Sequence, residues 1–355
     1  MPHTSEQWRR EHADVYFLDP GQPDELRRHL ASLGFLQAGE QIRRVARAGE
    51  GNMNCTVRVT TSRRSFIAKQ ARPWVEKYPQ FAAPWDRALR ELEFYGLAAT
   101  QPSVARALPA LLGSDPGSRL LLLEDLGEGT DYTDSYRGAG FAAEAIGILA
   151  DFLGELHGRF HKCDARRGLA NHEMRALNSQ HVFFIPLQTD NGLDLDSISP
   201  GLQEAKERLC EDSDYVSEVH ALAEIYLSDG DHLLHGDFFP GSMLRTSNGP
   251  RIIDPEFAFF GRPEFDPGVF VAHLLLGRQP ADSIQQLLTS YRRPPGFEDS
   301  LMVRFVGVEI MRRLIGYAQL PLGADGPARC RLLELSRKLV LAPSVQAILQ
   351  HRHEP

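Results

Sequence analysis

The chain has 355 residues, a formal net charge of −8, 42% hydrophobic and 24% charged residues, which is ordinary for a globular protein and gives no support for a nucleic-acid partner. The length suggests two domains or two lobes around a cleft. Its four cysteines, Cys55, Cys163, Cys210 and Cys330, form no C-x-x-C pair, which argues against a zinc site or a disulfide framework and fits a reducing cytoplasm.

The start, Met1-Pro2-His3-Thr4-Ser5-Glu6, is polar and lacks the apolar core of a signal peptide. The most apolar stretch, residues 268–276, carries His273 and is far too short to span a bilayer. The expectation is a cytoplasmic protein without a membrane partner. Residues 22–35 read as a short helix with Leu26, Leu30 and Leu33 on one face. Cys55, Val57 and Val59, then Phe66 and Ala68, alternate with polar residues, and Thr60–Arg64 between them reads as a hairpin link. Residues 86–98 read as a helix with Asp86 as N-cap. Leu120–Leu123 is a buried strand, followed by the linker Glu124-Asp125-Leu126-Gly127-Glu128-Gly129. Helices then dominate: one over 141–160, one or two over 201–227, one over 300–320. The fold class expected is α+β, with a small antiparallel β lobe over 1–123, a hinge at 124–129 and a larger helical lobe over 130–355.

Two acidic motifs fall in the helical lobe. Asp237 follows the apolar pair Leu233-Leu234 and precedes Phe238-Phe239-Pro240-Gly241, which reads as a loop. Alone, it is a cap or turn residue as readily as a reactive one. Asp254 and Glu256 flank Pro255, which biases Asp254 toward extended backbone and places both carboxylates on one face. Two such carboxylates among Ile252, Ile253, Phe257, Phe259 and Phe260 call for a proton or a cation between them, and Mg²⁺ suits one or two carboxylates plus phosphates; a surface turn after a buried strand is the plainer reading. One loop acid with a second acid cluster just past a strand is the pattern of a phosphotransfer centre.

The β lobe offers the complementary grip. Gly49-Glu50-Gly51-Asn52-Met53-Asn54 precedes the first hairpin strand; its small and amide residues (Gly49, Gly51, Asn52, Asn54) suit close approach of backbone N–H groups to phosphates, and an ordinary hairpin loop reads equally well. It is neither a Walker A loop nor a dinucleotide fingerprint. Lys69 ends the second strand, with Glu91 on the next helix as its candidate partner; an edge-strand lysine and an i−4 pair of Glu91 with Arg87 are the plainer readings. Arg312 and Arg313 interrupt an apolar helix, so at least one faces a core and needs an anionic partner: a substrate oxygen, a phosphate, or an interior Asp or Glu. His157 and His235 read as structural loop braces, and Asp266 as an N-cap that also braces the catalytic loop.

These segments together resemble the aminoglycoside phosphotransferase/choline kinase superfamily, whose lobes look like those of protein kinases, and within it the methylthioribose kinase branch. The residues carrying the resemblance are 49–54, 67–71, 86–88, 123–126, 235–242, 253–259 and 312–316. The resemblance implies a two-lobed, protein-kinase-like fold and ATP with Mg²⁺. It implies Asp237 as the base orienting an acceptor hydroxyl, Asp254 and Glu256 as metal ligands, and Lys69 on the phosphates with Glu91 holding it. Glu124, Asp125 and Leu126 would form the adenine-contacting hinge, and Arg312 and Arg313 would reach substrate or the transferring phosphate. The acceptor implied is a small-molecule hydroxyl, foremost that of methylthioribose or a related pentose. A kinase for choline, homoserine or an aminoglycoside, or a nucleotide-binding pseudokinase, is the alternative. Members of this branch are often dimers. Three departures stand out: Ser242 replaces the superfamily's usual Asn but matches the methylthioribose kinases, Glu50 stands where Asp is expected, and residues 174–202 do not follow the family pattern.

Overall fold

The computed structural model describes residues 5–49, 51, 53–162 and 169–351. Glu50 and Asn52 of the glycine-rich loop, Cys163 and the first four residues lie outside the described residues. The chain divides into two compact units, 1–128 and 129–355.

The first unit runs through α1 (Ser5–Glu11), α2 (Pro23–Ser32), β1 (Ile42–Arg47), β2 (Cys55–Thr61), β3 (Ser65–Gln70), β4 (Trp74–Val75), β5 (Tyr78–Ala82), α3 (Arg87–Ala98), α4 (Pro102–Ala105), β6 (Leu111–Asp115) and β7 (Leu120–Glu124). Five strands form one antiparallel sheet in the order β1-β2-β3-β7-β6. The alternation in β2 and β3 puts Cys55, Val57, Val59, Phe66 and Ala68 into a fully buried cluster, capped by Leu18 and by Leu26 and Leu30 of α2. Full burial of each such Leu, Val or Phe side chain contributes roughly 1.5–3 kcal/mol.

The expected helix over 22–35 ends earlier, at Ser32, and Leu33 is 41% exposed rather than on the buried face. The chain leaves the helix through Gly34 at φ +68°, a conformation open to glycine. Strands β1 and β4–β6 escaped sequence reading. β1 is Ile-Arg-Arg-Val-Ala-Arg, and a bulge between Ile42 and Arg44 breaks any two-residue alternation.

The second unit contains α5 (Ala143–Arg159), α6 (His172–Ser179), α7 (Leu195–Ile198), α8 (Leu202–Glu211), α9 (Ser213–Leu227), β8 (His232–Leu234), β9 (Met243–Thr246), β10 (Gly249–Ile252), β11 (Phe259–Gly261), α10 (Phe265–Leu276), α11 (Ala281–Ser290), α12 (Asp299–Ile315), α13 (Gly326–Leu341) and α14 (Val345–Leu349). Strands β9 and β10 form a hairpin, and β8 pairs with β11. The region 201–227 is two helices, because Asp212 leaves α8 in extended backbone and caps α9 by accepting from the Tyr215 N–H. The helix expected over 300–320 stops at Ile315, where Gly316 turns extended (φ −102°, ψ 178°). Helix α12 packs against both α10 and α13, which is why nearly every residue from Leu301 to Ile315 is buried. The α12–α13 approach is tight: a Cβ at Gly307 would meet the Ser336 carbonyl oxygen at 2.8 Å. Among the described residues no helix is long and apolar enough to cross a membrane.

Candidate active site

The site residues expected from sequence fall into two groups, one in each unit. In the first unit, antiparallel pairing sets Lys69 opposite Thr56 on one side and Leu121 on the other. This is the middle of the sheet rather than an edge. Its Nζ donates to both carboxylate oxygens of Glu91 on α3, at 2.8 and 2.7 Å, and both side chains are almost fully buried. The lysine cannot wander, so its charge is held at one place.

Arg87, one turn before Glu91 on α3, also binds the glycine-rich loop. It is buried and donates to Asn54 Oδ1 (3.1 Å) and to the backbone oxygens of Met53, Arg72 and Pro84. It thereby ties the end of the glycine-rich loop to the start of α3. Gly49 and Gly51 are exposed, Gly49 at φ +72°. Asp86 sits at the N-cap position of α3 but makes no capping bond; its carboxylate is taken by Arg119 at 2.7 Å. In the linker, Glu124 Oε2 accepts from the Ala110 N–H at 3.0 Å, and Arg58 of β2 binds Asp125, the Gly127 carbonyl and Glu128. Leu126 lies between them, half-buried.

In the second unit, Asp237 lies just past β8 in a loop held from beneath. Asp266, inside the first turn of α10, is fully buried and accepts from the N–H groups of His235 (2.7 Å) and Gly236 (3.0 Å). Its Oδ2 also binds His157 Nε2 at 3.1 Å, and His157 Nδ1 is fixed by the Tyr291 hydroxyl at 2.8 Å. The residue at the α10 cap is Glu264, not Asp266; Asp266 spends its carboxylate on the loop instead. His235 Nε2 meets the Ile253 carbonyl at 3.0 Å, so His235 joins the Asp237 loop to the Asp254 loop. Gly236 adopts φ +81°, and a Cβ there would sit 2.2 Å from the Phe257 oxygen. Gly236→Ala should therefore destabilise the second unit by about 3 kcal/mol, read as a lower denaturant midpoint with unchanged slope.

Asp254 is not extended. It adopts φ 61°, ψ 51°, and Pro255–Phe257 forms a single 3₁₀ turn. Pro255 disfavours a right-handed helical Asp254, but tertiary anchors choose the left-handed alternative. Ile253 N–H donates to the Ser242 oxygen at 3.0 Å, and Asn171 Nδ2 clamps the backbone oxygens of Glu256 (2.9 Å) and Ala258 (3.0 Å). The same-face argument from strand geometry therefore does not apply. A non-glycine residue held at positive φ stores strain of the kind that gathers at functional sites. Asp254 and Glu256 offer two hard carboxylate donors in one anchored turn, a set that fits Mg²⁺ completed by phosphate oxygens. Among the described residues no cluster of three or more His, Cys, Asp or Glu side chains forms a metal cage.

Arg312 and Arg313 are both buried, 7% and 5% exposed. Glu309, one turn earlier on α12, takes both: Oε1 accepts from Arg313 Nε at 2.6 Å and Oε2 from Arg312 Nη1 at 3.3 Å. Arg313 lies over the Phe239 ring, and its Nη2 is 3.9 Å from Asp237 Oδ1. Burial raises the Asp237 carboxyl to about 6, against the pull of Arg312 and Arg313 and with Glu309 and Glu256 adding to the rise. Burial also acts to raise Glu309, but the two arginines and the bond from His273 outweigh it and hold this carboxylate below its usual range.

Sequence reading left an interior carboxylate open as a partner for the arginines without naming Glu309. The signal was there, since an acid three and four residues before two arginines shares their helix face. Asn171 left none, because the Glu256 and Ala258 backbone oxygens it binds are brought to it only by the fold.

A family model described as the phosphotransferase enzyme family matches residues 44–298. The methylthioribose kinase of Exiguobacterium sibiricum is 25% identical, over 76% of this chain and 79% of its own. That of Geobacillus thermodenitrificans is 27% identical, over 82% of this chain and 85% of its own. Among solved structures, a choline/ethanolamine kinase family protein from Mesorhizobium loti matches with a TM-score of 0.52 at 15% identity, covering 92% of this chain and 97% of the other. The shared fold is a small antiparallel sheet followed by a helical unit.

Proposed function

Because the chain belongs to the phosphotransferase enzyme family, we propose that this small-molecule kinase transfers the γ-phosphoryl of ATP to a sugar hydroxyl, that of 5-methylthioribose or a related pentose. The observation that carries the reading is the pair of buried arginines beside a loop aspartate. Arg312 Nε and Arg313 Nη2 have no hydrogen-bond acceptor among the described residues, and a buried guanidinium N–H left in this state invites an anionic or polyhydroxylated ligand. A quaternary ammonium head, as in choline, offers no acceptor to these N–H groups. The acceptor preference also draws on the methylthioribose kinase relatives.

In this reading Asp237 accepts a hydrogen bond from the acceptor hydroxyl and aims its oxygen at the γ-phosphorus. The new O–P bond forms as the bond to the β–γ bridging oxygen breaks; ADP leaves, and the hydroxyl proton passes to Asp237. Asp254 and Glu256 would hold Mg²⁺, which would supply neutralisation of charge on the phosphates. Lys69, fixed by Glu91, binds the nucleotide phosphates, and the backbone N–H groups of Gly49, Gly51 and Asn54 support them. Glu124, Asp125 and Leu126 present backbone groups to adenine, with Arg58 keeping the linker in place. Arg313 and Arg312 stabilise the phosphoryl oxygens as charge spreads over them.

An ADP-release screen over methylthioribose, ribose, choline, homoserine and an aminoglycoside tests this. Methylthioribose should give kcat/KM at least about 10-fold above the other acceptors. Fastest turnover with choline or an aminoglycoside would overturn the sugar assignment, and nucleotide binding without turnover on any acceptor would make the protein a pseudokinase.

A further inference from the structure

Beneath the arginine pair lies a buried chain of hydrogen bonds that the proposed reaction does not use. Tyr136 Oη meets His273 Nδ1 at 2.6 Å, and His273 Nε2 meets Glu309 Oε1 at 3.0 Å. The proton positions follow from the partners. Glu309 is an ionised carboxylate, so it only accepts. His273 therefore carries its proton on Nε2, and burial pushes its pKa down to about 4, so it is neutral at pH 7. Its Nδ1 must then accept, and the Tyr136 hydroxyl, whose pKa is raised by burial, donates. Every donor in the chain points toward Glu309.

Glu309 in turn hydrogen-bonds both arginines. Oε1 takes Arg313 Nε, on one edge of that guanidinium, and leaves Nη2 facing Asp237. Oε2 takes an Nη of Arg312 and leaves Nε unbonded. A bond at Nε together with the Phe239 face beneath the plane fixes the rotation of the Arg313 guanidinium.

We infer that Glu309 is a positioning residue for phosphoryl transfer: its two carboxylate oxygens take one arginine each and turn the free N–H edge of Arg313 toward Asp237, with His273 and Tyr136 holding the carboxylate in place. This rests on the proposed role of the arginine pair. The carboxylate itself touches no substrate; it acts through Arg313. A Gln side chain at 309 offers one acceptor and one donor where three donors converge, so one arginine must turn away.

The test is a double-mutant cycle on the full chain with ATP and the sugar that the screen selects. Glu309→Gln should lower kcat roughly 10- to 100-fold, as expected for a group misplaced by about an ångström, while the KM for ATP stays within about 2-fold. In an Arg313→Ala background the same substitution should change kcat by less than about 2-fold, because the residue it acts through is gone. Additive effects in the double variant would overturn the inference while leaving the kinase reading intact. Unchanged kcat in Arg313→Ala alone would overturn both the arginine role and this inference. Absence of turnover in the parent protein would sink the kinase reading itself, and the inference with it. Should Glu309→Gln fail to fold, Tyr136→Phe replaces it in the cycle. It removes the donor that fixes His273 and should lower kcat roughly 3- to 10-fold, with that loss also vanishing in the Arg313→Ala background; additivity there overturns the inference equally.

Discussion

Asp237→Asn should lower kcat by roughly 10²- to 10⁴-fold, the range supplied by a positioned proton acceptor, with nucleotide affinity little changed. The Asn amide keeps the size of the side chain, so the loss reports the carboxylate rather than the loop. Near-parent turnover in this variant would remove Asp237 from the centre of the mechanism. The pH dependence carries a second readout. Because the acid must be ionised to accept the hydroxyl proton, kcat/KM should fall on the acidic side with an apparent pKa of about 6 and lose that limb in the variant.

Stability should move the other way. The folded-state pKa of Asp237 is raised above its ordinary value of 3.8, so its contribution is most favourable below that value and is lost as pH rises through about 6. At pH 7 the ionised carboxylate is therefore a burden on the fold, and Asp237→Asn should melt higher than the parent at pH 7 but not at pH 4. A melting difference that is the same at both pH values would contradict the raised pKa. Such opposition between stability and activity is what a site built around a half-buried acid predicts.

Asp266→Ala should destabilise the second unit by about 3–5 kcal/mol, the cost of removing one partner from a buried charged network. Three donors lose their acceptor at once: the N–H groups of His235 and Gly236 and the ring of His157. None can reach water, since His157, His235 and Asp266 are all fully buried. For a unit of this size that cost should lower the melting temperature by roughly 8–15 °C, measured by calorimetry. A shift of only 1–2 °C would mean that the loop is held by other contacts. Because His235 also bonds the Ile253 carbonyl, the substitution should loosen the Asp237 and Asp254 loops together. Any activity left at low temperature should therefore need more Mg²⁺ than the parent.

The sequence by itself determined much of this protein. Alternation in residues 55–59 and 66–68 sufficed for the hairpin that carries Lys69, because a two-residue period with one buried face has only one register. The apolar setting of Arg312 and Arg313 sufficed to predict that at least one would face a core, and both are buried; the ordered acids, lysine and arginines sufficed for the family. What sequence period could not reach were contacts between distant segments. Asp254 was expected extended from its proline neighbour, yet Asn171 and Ser242, from elsewhere in the chain, hold that turn in a left-handed conformation. Asp266 was expected to cap a helix and brace the loop; the brace is present, to N–H groups 30 and 31 residues away, but the cap position belongs to Glu264. Local propensities are worth tenths of a kcal/mol to about 1 kcal/mol, whereas leaving a buried polar group unpaired costs about 1–3 kcal/mol. Where the two conflict, the long-range contacts prevail, and at this site they set the turn of the acid cluster and bury the grip of Glu309 on both arginines.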